Sequence, residues 1–210
     1  MKRTRILLAD DHNMVIEAMK NLLEPEFEVI GTVSDGRALV AKAIELNPDV
    51  IVMDISMPLL NGLEAGRQLK TALPKVKFIY LTMNQDQDII AEAFKIGAIG
   101  FLVKQCAYSE LRNAIRQSLM GRSYVTPLVV RDTVSSSFQT PLRGENPIQL
   151  TPRQREVLQL LAEGRSMKEV AFELDVTTRT VAFHKYRMME DLKLKTSAEL
   201  IQYAVRRHIV

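Results

Sequence analysis

The chain of 210 residues has one cysteine, Cys106, and no tryptophan. A single thiol excludes an intramolecular disulfide and any zinc site built from cysteines, and it fits a reducing cytoplasm. Long apolar runs are also missing. The longest, such as Ile6-Leu7-Leu8-Ala9 and Val50-Ile51-Val52-Met53, fall far short of the roughly eighteen residues that a membrane helix needs. The basic start Met1-Lys2-Arg3-Thr4-Arg5 is followed by too short an apolar stretch before Asp10-Asp11 for a secretory signal. A cytoplasmic location with no membrane partner is expected. The three histidines, His12, His184 and His208, lie far apart in sequence.

Charge of one sign is scarce as well, since 28 Lys+Arg against 25 Asp+Glu leave +3. With 47% hydrophobic and 25% charged residues the chain is ordinary for a globular protein, which excludes wholesale disorder. Its length suits two small domains. Residues 1–120 hold 14 basic and 15 acidic side chains, 121–149 hold 3 and 2, and 150–210 hold 11 and 8. The surplus therefore sits in the last segment, which permits nucleic-acid binding without proving it.

Residues 1–120 alternate short β-branched runs with helix-period segments, the rhythm of parallel strands joined by crossover helices. The strand candidates are 5–9, 28–32, 50–53, 78–81 and 100–103, with helices at about 13–24, 36–46, 62–73, 86–96 and 107–120. The expected fold is α/β, a doubly wound, flavodoxin-like (βα)5 sheet with its ligand site at the carboxyl ends of the strands. Between 121 and 149, Ser135-Ser136-Ser137, Pro141, Gly144 and Pro147 accumulate and predict a linker, the start of which can pack on the first domain. From Leu150 to Val210 the pattern is all-α. Thr151-Pro152-Arg153-Gln154 and Ser166-Met167-Lys168-Glu169 read as capping boxes, and Thr177 and Ser197 as further caps. Four helices follow, two of them joined by Asp175-Val176-Thr177 as in a helix-turn-helix.

Asp10 and Asp11 end the first strand and Asp54 the third, so this topology gathers three carboxylates at one sheet edge. Like charges there repel unless something offsets them, and a divalent cation with oxygen ligands, usually Mg²⁺, is one solution. Any one of these aspartates, taken alone, reads better as the start of a loop or a helix cap, and it is the three together at one edge that point to a site. Thr82 and Lys104 end the fourth and fifth strands on the same edge. A hydroxyl and an ammonium beside a metal-bound carboxylate form a receptacle for a phosphoryl group on Asp54.

These residues, with Asp54-Ile55-Ser56-Met57-Pro58, Asn61-Gly62, Leu81-Thr82, Gly97-Ala98 and Phe101-Leu102-Val103-Lys104, make residues 1–120 resemble the receiver domain of bacterial two-component response regulators. The resemblance implies that Asp54 is the phosphoacceptor for a sensor histidine kinase. It implies that Asp11, Asp54 and the Ser56 carbonyl hold Mg²⁺ with Asp10 assisting, and that Thr82 and Lys104 contact the phosphoryl oxygens. Phe101 would be the aromatic that turns inward when Thr82 moves, a Phe where many relatives carry Tyr. Ser56 and Asn84 resemble positions that tune phosphoryl lifetime. Neither is an acid or base, so self-hydrolysis is not expected to be especially fast.

Residues 150–210 resemble the LuxR-type helix-turn-helix of the NarL/FixJ class, through Leu150-Thr151-Pro152-Arg153-Gln154-Arg155-Glu156-Val157-Leu158, Ala162-Glu163-Gly164, Lys168-Glu169-Val170-Ala171, Thr180-Val181 and His184. In the third helix Val181, Met188 and Leu192 share a core stripe. Thr178, Arg179, Thr180, Ala182, Phe183, Tyr186 and Arg187 are left for double-stranded DNA, with His184 and Lys185 beside them for phosphates. Phe183 and Tyr186 suit thymine methyl groups or a neighbouring subunit. Met167 and Ala182 depart from the family's usual Asn and Lys, so the operator does not carry over. Low basicity predicts binding as a homodimer, which by the resemblance uses the fourth helix through Leu200, Ile201 and Ala204. RNA polymerase is a further partner that the family's role in transcription allows.

An enzyme is the rival reading. Hydrolases of the haloacid dehalogenase group want a second Asp two residues after the nucleophile, where Ser56 stands. Neither a Walker phosphate loop nor a Gly-x-Gly-x-x-Gly fingerprint occurs. A receiver that assists only its own phosphorylation is expected, not an enzyme with a separate substrate.

Overall fold

In β1 (Arg5–Ala9), Ile6 and Leu8 join one apolar cluster and Leu7 and Ala9 another. This is the two-residue period of a strand covered on both faces. The structure, a computed structural model, describes residues 3–83, 86–127, 150–207 and 209–210. β2 (Glu28–Val33), β3 (Val50–Asp54), β4 (Lys77–Thr82), β5 (Ala98–Val103) and β6 (Tyr124–Val125) complete a parallel sheet in the order β2-β1-β3-β4-β5-β6.

Helices α1 (Asn13–Leu23) and α5 (Lys104–Leu119) cover one face through Ile16, Leu23, Leu111 and Ile115. Helices α2 (Gly36–Leu46), α3 (Gly62–Ala72) and α4 (Gln87–Ile96) cover the other through Leu39, Ala43, Leu69 and Ala93. The order reverses between β1 and β3, so the carboxyl ends of those two strands open into a crevice. Asp10 and Asp54 lie there.

The doubly wound expectation therefore stands, with one correction: the sheet has a sixth strand. β6 pairs with β5 at Gly100–Tyr124 and Phe101–Val125. It is secured by Thr126, whose amide donates to the Phe101 carbonyl (3.1 Å) and whose hydroxyl accepts from the Val103 amide (3.2 Å). The sheet thus takes in Tyr124 and Val125 from the start of the expected linker, a strand that two residues are too few for periodicity to reveal. The rest of the expected linker, 128–149, lies outside the described residues, as does Asn84.

The second domain comprises α6 (Pro152–Ala162), α7 (Met167–Glu173), α8 (Thr178–Asp191) and α9 (Ser197–Arg206). Both capping boxes form, Thr151 with Gln154 and Ser166 with Glu169, and Thr177 caps α8. The cap of α9 is Thr196, whose side chain accepts from the Glu199 amide, and not Ser197. Val157, Leu158, Val170, Val181, Met188, Leu200 and Ala204 build the core. Among the described residues, no helix is long and apolar enough to cross a membrane.

Candidate functional site

Four strand ends deliver the chemistry. β3 stops on Asp54, β4 stops on Thr82, Asp10 and Asp11 follow β1, and Lys104 opens α5 immediately after β5. The Lys104 ammonium lies 2.8 Å from Asp54 Oδ2 and 2.7 Å from Asp10 Oδ2. Asp10, Asp54 and Thr82 are buried. Burial raises the Asp54 pKa, the Lys104 hydrogen bond and charge pull it back, and the Asp10 charge adds to the rise, leaving it above the ordinary value. For Lys104, burial pulls the pKa down, and the bonds and charges of Asp10 and Asp54 outweigh it, so the pKa is raised.

Oxygen atoms of Asp10, Asp11 and Asp54 and a ring nitrogen of His12 all lie within 4.8 Å of one another. Asp10 Oδ2 is buried and, though close to the ammonium, has no well-aligned hydrogen bond. An inward-facing carboxylate oxygen with spare capacity among other carboxylates is a donor set for a hard cation. His12 escaped the sequence reading. Its Nδ1 lies 2.7 Å from Asp11 Oδ1 and 3.2 Å from Asp10 Oδ1, and its amide donates to Asp10 Oδ1 at 2.9 Å. The available signal was its place directly after the aspartate pair.

The loop after Asp54 is tightly built. A Cβ at Gly62 would stand 2.1 Å from the Asp54 carbonyl oxygen, so only glycine lets α3 start this close to β3. Ser56 is exposed, and its backbone donates a hydrogen bond to Asp54. Phe101 is fully buried against the cluster containing Tyr80 and Ala98. The expected inward aromatic is therefore already inward, as suits a ring with no hydroxyl to satisfy in water. Together Asp11, His12, Asp54, Ser56, Thr82 and Lys104 line a cavity of about 250 Å³, which Val210 also lines.

On the second domain α8 has the inner and outer faces that its apolar stripe predicts. Val181 and Met188 are buried and Leu192 packs on the core, while Phe183 and Tyr186 are 65% and 60% exposed. Thr178, Arg179 and Arg187 are exposed, and Thr180, Ala182, His184 and Lys185 are half-buried beside them. Phe183 meets His184 edge-on at 5.6 Å, and Lys185 Nζ lies 5.7 Å from the Tyr186 ring centre. Arg187 is already paired with Glu190 and Asp191 at 3.5 and 3.3 Å.

The dimer residues need correction. Leu200 and Ala204 are 1% and 0% exposed within the domain's own core, so neither is free to meet a second copy. Ile201 is exposed, and Val205 on the same helix is exposed with it. Of the three expected residues, Leu200 and Ala204 lie on the inner edge of the apolar stripe and Ile201 on its exposed edge.

Residues 6–116 match the model of the response regulator receiver domain, and 148–204 match that of bacterial regulatory proteins of the luxR family. The transcriptional regulatory protein LiaR of Bacillus subtilis is 36% identical over 98% of this chain and 99% of its own length. The oxygen regulatory protein NreC of Staphylococcus aureus is 34% identical over 98% and 99%. A solved complex of the two-component response regulator RcsB with DNA superposes with a TM-score of 0.60 at 26% identity, over 97% of this chain and 98% of that one. The chain belongs to the response regulators that join a receiver domain to a LuxR-type DNA-binding domain.

Proposed function

We propose that this chain is a transcriptional regulator of a two-component system in which Asp54 accepts a phosphoryl group from a sensor histidine kinase and thereby governs dimerisation and DNA binding. The observation that carries the reading is the convergence of Asp54, Asp10 and Lys104 within hydrogen-bond distance in one pocket. The Asp54 carboxylate attacks the phosphohistidine phosphorus, a P–O bond forms as the P–N bond breaks, and the Lys104 ammonium neutralises charge on the transferred oxygens. Thr82 lines the same pocket and supplies a hydroxyl toward them. The oxygens of Asp10, Asp11, Asp54 and the Ser56 carbonyl suit Mg²⁺, which when bound offsets the charge of the phosphoryl group. His12, a nitrogen donor less suited to that ion, orients the carboxylates of Asp10 and Asp11. With neither acid nor base at Ser56, the phosphoryl group is not rapidly lost.

Double-stranded DNA meets the exposed face of α8, with Arg179, Ala182, Phe183, Tyr186 and Arg187 facing the major groove and its walls and His184 and Lys185 beside them toward phosphates. The LiaR relative is a transcriptional regulatory protein and the RcsB neighbour was solved with DNA, which supports this assignment. Dimerisation uses the exposed Ile201 and Val205 of α9. Incubation with acetyl phosphate and Mg²⁺ should add about 80 Da, one phosphoryl group, to the protein but not to Asp54→Ala. Failure with both this donor and a kinase donor would sink the phosphorylation switch.

A further inference from the structure

A second cavity, of about 690 Å³, is walled by cations and has no lining residue in common with the one around Asp54. α3 contributes Arg67 and Lys70, α4 contributes Lys95, α6 contributes Arg155, and Arg207 caps the carboxyl end of α9. Two carboxylates, Asp88 and Glu92, share the wall, so five cations against two anions leave +3. Two of the five are fixed from behind. Glu64, 1% exposed, accepts from Arg67 Nη1 at 3.1 Å and from Arg155 Nε at 2.9 Å, and Glu92 takes the other terminal nitrogen of Arg67. This leaves both terminal nitrogens of Arg155 unengaged among the described residues. Lys70 reaches a backbone carbonyl, that of Pro74 at 3.4 Å, and Arg207 lies over the Tyr203 ring at 5.9 Å. Among the described residues, none of Lys70, Lys95 and Arg207 has a carboxylate partner.

Lys70, Lys95 and Arg207 each stand at the carboxyl end of a helix, where a base complements the dipole. That accounts for each one alone, but not for three helices turning their cations onto one concavity, where like charges repel unless an anion is shared between them. Much of the remaining lining is apolar, with Ile96, Leu150 and Ile209 beside the Tyr203 ring. We propose that this cavity binds a small organic polyphosphate of nucleotide size, its phosphate groups held by Lys70, Lys95, Arg155 and Arg207 and its organic part packed on Ile96, Leu150 and Tyr203. The volume lies in the range of small-molecule sites. The free end of Arg155 matches phosphate oxygens two at a time, and the lysines supply point charges. A lone carboxylate would leave most of the +3 uncompensated, an inorganic ion would leave the apolar lining empty, and a duplex is too broad to enter. The site asks nothing of Asp54 phosphorylation and uses no residue of the α8 face.

The test is isothermal titration calorimetry of the full-length protein with ATP, pyrophosphate and adenosine as probes, in EDTA so that no cation enters the Asp54 pocket. ATP should bind once per chain, pyrophosphate roughly tenfold more weakly because it lacks the part that meets the apolar lining, and adenosine not measurably. Lys95→Gln and Arg207→Gln replace exposed side chains, and circular dichroism checks that each variant is folded. Each should weaken ATP about fivefold, the scale of one lost hydrogen bond to a charged group. Lys42→Gln, which removes the same charge outside the cavity, should leave ATP binding unchanged. No binding of ATP to the parent, or equal weakening by all three substitutions, would overturn the site. Pyrophosphate bound as tightly as ATP would overturn the organic part of the assignment. ATP that ignores Lys95 and Arg207 but is displaced by duplex DNA would overturn the site in favour of the α8 face.

Discussion

Lys104 Nζ lies 2.8 Å from Asp54 Oδ2 while also reaching Asp10 at 2.7 Å, so one ammonium holds together two buried carboxylates that would otherwise repel. Replacing it leaves both charges uncompensated. Lys104→Met, which keeps the chain's bulk, should lower stability by about 3 kcal/mol in metal-free buffer, the usual scale for breaking a buried pair. Millimolar Mg²⁺ should restore part of the loss by binding the folded form. Urea melts with and without the ion measure both effects, and an unchanged midpoint in metal-free buffer would show that the pair is not holding the site.

The raised pKa of Asp54 fixes the sign of a second effect. A carboxyl whose folded pKa lies above its unfolded one holds its proton more tightly when folded, so its contribution to stability falls as pH rises through that interval and stays low at neutrality. Asp54→Asn removes this penalty while keeping an oxygen to accept from Lys104. The variant should melt higher than the parent at pH 7 without metal, with the gap closing toward acid pH, where Asp54 is protonated in both states. Mg²⁺ should shrink the gap from the other side, by stabilising only the parent. A gap independent of pH would assign the change to packing.

The acidic site was legible because topology and residue type agree there: strand-end Asp10, Asp54, Thr82 and Lys104 are brought together by any doubly wound sheet of this order. Helix caps at Thr151, Ser166 and Thr177 were legible for a local reason, since a capping box is complete within four residues. What sequence withheld was long-range. Gln159 looks like one polar residue in an amphipathic helix, and only docking against Met57 and Asn61 buries it. Tyr124 and Val125 form a strand because β5 offers a free edge, not because two residues prefer that state. Leu200 and Ile201 are adjacent and both apolar, so nothing short of the packed core distinguishes inside from outside.

That distinction at α9 makes a sharp comparison. Leu200→Ala empties a fully packed position and should cost about 3 kcal/mol of the helical domain's stability. Ile201→Asp places a charge on an exposed position and should leave the melting temperature nearly unchanged while weakening self-association and cooperative binding to a two-site duplex. Analytical ultracentrifugation alongside thermal melts separates the two. A lowered melting temperature in Ile201→Asp, or an unchanged one in Leu200→Ala, would reverse the assignment of the two sides.

On the exposed face of α8, Arg187 is paired with Glu190 and Asp191 on its own helix, and Ala182 is uncharged where a cation could stand. Each phosphate neutralised by a protein cation steepens the salt dependence of DNA binding by about 0.9 in log–log slope. Ala182→Lys should therefore tighten binding to any duplex, most strongly at low salt, and steepen the slope by about one. Glu190→Gln should act in the same direction but less, by loosening one of the two carboxylates that engage Arg187. Phe183→Ala should do the opposite kind of thing: it removes apolar contact, leaves the slope alone, and reduces discrimination between thymine and uracil, which lacks the methyl group, at the contacted step. Anisotropy titrations at several salt concentrations, with thymine-to-uracil substituted duplexes, read slope and discrimination separately. A slope unchanged by Ala182→Lys would place this edge of α8 away from the phosphates and move the DNA contact toward Arg179 and the start of the helix.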